Sequence, residues 1–147
     1  MKDHAIFLED ERVEIARCAE LVASRCDAIS DLKACLLSLP RNSAIHDANQ
    51  AAFLKGGDAP LRAPLKTRPG VGQSLPGIDP PQVMPVSLAV GDAFGAPFPA
   101  TTEIFSTLDD AQLNRLAIMA NHNFNIVVGD TVRQRREKFK KYICGLM

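Results

Sequence analysis

Seven side chains in this 147-residue chain could ligate a metal or act as nucleophiles or bases: His4, His46, His122, Cys18, Cys26, Cys35 and Cys144. Their spacing does not suit that work. The three histidines lie far apart and no Cys-x-x-Cys occurs, so no zinc pattern is present. His46 and Asp47 are adjacent, which sends their side chains apart in regular structure. Cys144 follows a run of bases that could lower its pKa, but a structural thiol is the preferred reading. Gly70-Val-Gly72 lacks the following Lys and Ser/Thr of a phosphate loop. The residues thus identify no catalytic group, no metal site and no cofactor site, and no small-molecule substrate is expected.

The remaining chemistry is that of charge. Net formal charge is zero, but it is unevenly spread. Residues 1–39 carry eight acids and five bases. Arg133, Arg135, Arg136, Lys138, Lys140 and Lys141 crowd nine positions near the other end, with Glu137 the one acid among them. Such a helix can pair with acidic groups of a protein, its own included, or lie along phosphates. Pairing with protein is preferred, and the acidic first helix is one candidate. A membrane surface ranks last, since the apolar face is short and the chain has no Trp.

The elements that must position these residues are separated by proline. All ten prolines fall between Pro40 and Pro99. Proline removes a backbone donor and clashes with the preceding turn, so long helices are expected only outside that block. The predicted fold is mainly α. A long acidic amphipathic helix occupies 1–39, a Pro/Gly-rich extended segment 40–100, and a helical pair with a basic last helix 101–147, together forming one structural domain.

In the first helix Ile15, Val22, Ile29 and Leu36 recur every seven residues. Cys18, Leu32 and Leu39 take the companion positions, and Arg25 interrupts them. Residues 9–39 as one helix would span roughly 45 Å, more than the roughly 40 Å diameter of a compact domain this size. The helix therefore breaks near Asp27–Ser30 or pairs with another helix. A core helix packed on the C-terminal segment is preferred, with a homodimeric or partner coiled coil as the alternative. Ile6, Phe7 and Leu8 in the segment before it are expected to cap the bundle. Cys18, Cys26 and Cys35 cannot bridge within one helix, so they are read as buried thiols in a reducing compartment, by default the cytoplasm.

Pro40 is expected to end this helix. A short helix follows at 43–55, capped by Ser43 and stopped by Gly56-Gly57. Met84, Val86, Leu88 and Val90 alternate with Pro85, Ser87, Ala89 and Gly91, which predicts a strand at 84–90. Its best mate is Asn125–Val128, so at most a small two-stranded ribbon forms. Phe94, Phe98 and Phe105 fit neither period and read as anchors, preferably in pockets of the chain's own helices and otherwise in a partner's. Thr107 is expected to cap a helix running to about Asn121, and Thr131 to start one running to Cys144. The helix-turn-helix reading fails, because Asn123–Val132 holds Ile126-Val-Val128 and Gly129 and is a poor helix.

The starting sequence has no apolar stretch of signal-peptide type, and no apolar run approaches a membrane span. The expected function is binding without catalysis: an adaptor, regulator or small subunit of a larger assembly, with size and layout pointing to a phage or bacterial origin. The partner is another protein or a second copy, met through Ile15, Val22, Ile29, Leu36, Phe94 and Phe98. The rival is a small nucleic-acid-binding protein using the basic helix.

Overall fold

The computed structural model describes the backbone of residues 2–147 and the side chains of 8–147. It is mainly helical: α1 is Lys2–Lys55, α2 Thr102–Phe105, α3 Asp110–Ala120 and α4 Val132–Ile143. Two compact units form, Met1–Lys33 and Ala34–Met147. The side chains of Ile6 and Phe7 lie outside the described residues. Leu8 is an exposed residue of α1.

Contrary to expectation, α1 does not stop at Pro40 or break near Asp27–Ser30; it runs unbroken to Lys55. Pro40 is exposed. The carbonyl it cannot serve, four residues earlier, belongs to exposed Leu36 and can bond water. Buried Ser38, Asn42 and Asn49 hold the following turns in place from the other side. The expected helix at 43–55 is therefore the end of α1, and Ser43 lies inside it rather than at a cap. Gly56 and Gly57 stop it with φ of 71° and 65°, as expected.

Residues 56–101 form an extended strap, and asparagines hold it. A proline-rich chain cannot complete a β ladder, yet its buried backbone groups need partners. Asn42 and Asn49 are seven residues apart, on one face of α1. The Leu65 N–H donates to Asn42 Oδ1 at 2.7 Å, and Asn42 Nδ2 donates to the Leu65 carbonyl at 2.9 Å. Asn49 repeats this on Arg62 at 2.8 and 3.0 Å, and also donates to the Ile143 carbonyl at 3.0 Å. Asn114 of α3 and its C-cap Asn121, again seven apart, also bond the strap. The Leu75 N–H donates to Asn114 Oδ1 at 2.6 Å, and Asn121 Nδ2 donates to the Pro69 carbonyl at 2.7 Å.

No sheet forms among the described residues. The pairing is limited to two isolated antiparallel bridges, Pro60 to Thr101 and Leu65 to Ala93. The expected strand at 84–90 is absent. Pro85 offers no N–H, and Val86 is 82% exposed. Its expected mate turns instead, because Phe124 and Asn125 adopt left-handed φ of 51° and 57°.

The core of the second unit is aliphatic with one aromatic cluster. Leu113 and Leu116 of α3 face Phe139 and Ile143 of α4, all fully buried. The Phe139 ring centroid lies 4.9 Å from that of Phe124 and 6.0 Å from that of Phe105. Phe98 meets Phe139 edge-on at 6.4 Å, and Phe94 stacks on Tyr142 at 6.4 Å. The strap anchors therefore fill pockets of the chain's own helices, the preferred reading. Phe94, 4% exposed, and Phe98, half-buried, are spent on this core and not held out to a partner.

The C-terminal caps form with one change. Asp109, not Thr107, caps α3 in a reciprocal box with Gln112. Thr107 instead donates its hydroxyl to the Ile104 carbonyl at 2.8 Å, closing the short α2. Asn121 ends α3 at φ 51°, and Thr131 caps α4 with Gln134.

Candidate functional site

The first unit presents an apolar face of exposed side chains. Every side chain from Leu8 to Ser30 is exposed. In heptad terms Leu8, Ile15, Val22 and Ile29 occupy position a, Cys18 and Leu32 position d, and Leu21 the neighbouring g. Ile15, Val22 and Ile29 are 69%, 61% and 66% exposed. A core helix, the preferred expectation for this stretch, needs these side chains buried, and they are exposed: heptad spacing marks a face without saying what covers it. Leu36, the fourth predicted position, belongs to the second unit and is also exposed.

The magnitude is large for a single helix. Full burial of a Leu, Ile or Val side chain contributes about 1.5–3 kcal/mol. Leu8, Ile15, Leu21, Val22, Ile29 and Leu32 are 45–69% exposed, so covering them would contribute ~5–10 kcal/mol per chain. Such a stripe marks an interaction surface more often than isolated exposed residues do.

The six bases of α4 do not form one charged track. Arg135 is buried and pairs with Asp110 at 2.8 Å. Arg136 Nε donates to the Leu108 carbonyl at 2.6 Å. Lys138 meets Asp130 at 2.6 Å, a hydrogen bond that holds the Asp130 carboxyl below its usual range. Lys140 lies over the Phe53 ring at 4.7 Å. Arg133 and Lys141 are the two that remain exposed. Pairing with protein acids was the preferred expectation, and two of the bases meet acids of their own unit, Asp110 and Asp130.

The remaining chemical groups are four free cysteines and the side chains of a cleft. Cys18 and Cys26 are exposed and Cys35 half-buried, against the expectation of buried thiols; only Cys144 among the four is buried. Cys18 and Cys26 lie on the exposed stretch of α1. Burial pushes the Cys144 thiol upward, away from thiolate. His46, His122 and Tyr142 line a cleft of about 390 Å³ in the second unit. Two of its lining side chains, Asn42 and His122, are hydrogen-bonded within the chain. His122 Nδ1 accepts from the Phe124 N–H at 2.8 Å, and its ring lies 4.9 Å from that of Tyr142. Partial burial lowers both imidazoles and pushes Tyr142 up to about 12, so these three side chains are neutral at pH 7. Among the described residues no three of His, Cys, Asp or Glu are placed to hold a metal ion.

No protein-family model, curated protein or solved structure matches this chain. Among the described residues no helix is long and apolar enough to cross a membrane.

Proposed function

We propose that this chain is a protein-binding subunit that docks an amphipathic helix along the apolar face of residues 8–32. The observation that carries the reading is the coincidence of two facts on one helix. Its heptad positions hold large aliphatic side chains, and those side chains are exposed. An isolated helix in water is marginal, because helical stability in proteins comes mostly from packing an apolar face. A second helix in the seam supplies that packing by knobs-into-holes contact. The scarcity of free cations on α4 favours this over phosphate binding, since Arg135, Arg136, Lys138 and Lys140 are engaged within the chain.

Fluorescence anisotropy with labelled duplex and single-stranded oligonucleotides separates the two. Phosphate binding by basic residues strengthens steeply as salt falls. The expected result is no saturable binding even at low salt. Tight, salt-sensitive binding that disappears in Arg133→Glu/Lys141→Glu would overturn docking in favour of nucleic acid.

A further inference from the structure

We propose that the helix docked on residues 8–32 is the same segment of a second copy, running antiparallel; this rests on the docking reading above. The apolar side chains of the stripe suit either direction. Two charged residues in the seam, Glu11 and Arg25, both at position d, decide it. Both are exposed in the single chain.

In a parallel, in-register pair each seam residue meets its own copy. Glu11 would face Glu11 and Arg25 would face Arg25, two like-charge layers at the centre of the contact. The flanks would repel as well. Residues 8–20 hold five acids and two bases, and residues 21–33 hold two of each, so parallel pairing sets the strongly acidic half on itself.

Antiparallel pairing about Glu20 removes every one of these conflicts. Seam positions then pair so that their numbers sum to 40, and the set 8, 11, 15, 18, 22, 25, 29, 32 maps onto itself. Leu8 meets Leu32 of the other copy, and Cys18 meets Val22. Ile29 covers the stem of Glu11, and Ile15 that of Arg25. In antiparallel pairing positions d and g of both helices share one edge of the seam. Arg25 of one copy therefore lies about one turn, roughly 6 Å along the axis, from Glu11 of the other, and about 1.5 Å along the axis from Glu14. Its guanidinium reaches both carboxylates, twice per dimer by symmetry. In the single chain Glu14 is held only by Arg17 at 3.9 Å, with both side chains about 70% exposed, so it is available. Leu21 meets its own copy across the two-fold axis on that edge. The acidic half lies against the neutral half throughout. The burial gained by two chains, ~10–20 kcal/mol, is of the size needed to offset the roughly 4–15 kcal/mol cost of association.

Sedimentation equilibrium of the full 147-residue chain from about 5 to 200 µM tests this directly. The expected result is a reversible rise toward twice the 15.9 kDa chain mass. Arg25→Glu, on an exposed helix surface, is expected to weaken the dimer at least tenfold, since it sets acid against Glu11 and Glu14 at two places. The triple variant Glu11→Arg/Glu14→Arg/Arg25→Glu restores antiparallel pairing. In a parallel dimer Arg25→Glu would exchange one like pair for another and change little. A monomeric mass throughout overturns the second copy as occupant. A dimer indifferent to Arg25→Glu, or one that the triple variant fails to restore, overturns the antiparallel register. The docking reading fails separately, through the oligonucleotide result.

Discussion

Asn49→Ala is expected to destabilise the second unit by about 3–4 kcal/mol, far above the average substitution. Asn49 is fully buried and makes three hydrogen bonds, to the Arg62 N–H, the Arg62 carbonyl and the Ile143 carbonyl. Alanine removes all three partners together. Each buried backbone group left unpaired costs ~1–3 kcal/mol. The proline-rich strap has no neighbouring strand to take these bonds, and the end of α4 keeps one tie to α1, from Gln50 Nε2 to the Cys144 carbonyl at 2.7 Å. Urea unfolding checks this, with the midpoint expected to fall by about 1.5–2 M. A fall below about 0.5 M would show that water replaces the side chain at no real cost. Exposed Asp47→Ala, two residues away, should stay within about 0.5 kcal/mol.

Phe139→Ala is expected to cost about 3–5 kcal/mol by leaving a cavity at the aromatic centre. Its ring meets those of Phe98 of the strap, Phe105 of α2, Phe124 after α3 and Tyr142 of α4 itself. No single neighbour can collapse into the space without abandoning another contact. Tyr142 is the chain's one tyrosine, and Trp is absent, so near-ultraviolet dichroism of Tyr142 reports this cluster. The expected outcome is an earlier unfolding midpoint with a weakened Tyr142 signal in the native state. An unchanged midpoint would mean that the aromatic contacts do not hold the strap to α4.

Much of the helical architecture was legible because local signals carry it. The sevenfold spacing of Ile15, Val22 and Ile29, the stop at Gly56-Gly57, the Asn121 end and the Thr131 start are each set by neighbours in sequence. Pro40 misled because its cost depends on whether the orphaned carbonyl faces water, which is a property of the fold. The strand pattern at 84–90 misled for a related reason: alternation is only useful with a partner, and Phe124 and Asn125 turn the expected one away.

The asparagine clamps were missed, although a signal existed. Asn disfavours helix interiors, where its amide competes with the backbone. Pairs of Asn seven apart, at 42 and 49 and again at 114 and 121, therefore point to polar work on a buried face. Of the candidate site, the positions Ile15, Val22 and Ile29 were legible and their exposure was not. The bases of α4 were legible as a run, but their partners Asp110 and Asp130 are set by tertiary packing.

Face-resolved photocrosslinking tests most directly whether residues 8–32 dock a helix. A benzophenone side chain is placed singly at Ile15, Val22 or Ile29, and at Arg17, Glu20 or Asp27 on the polar side, in the purified chain and in cell lysate. The expected result is a discrete adduct from the first three positions only, at twice the 15.9 kDa chain mass for a second copy. Adducts formed equally from both sets, or from neither, would contradict a docked helix on this face.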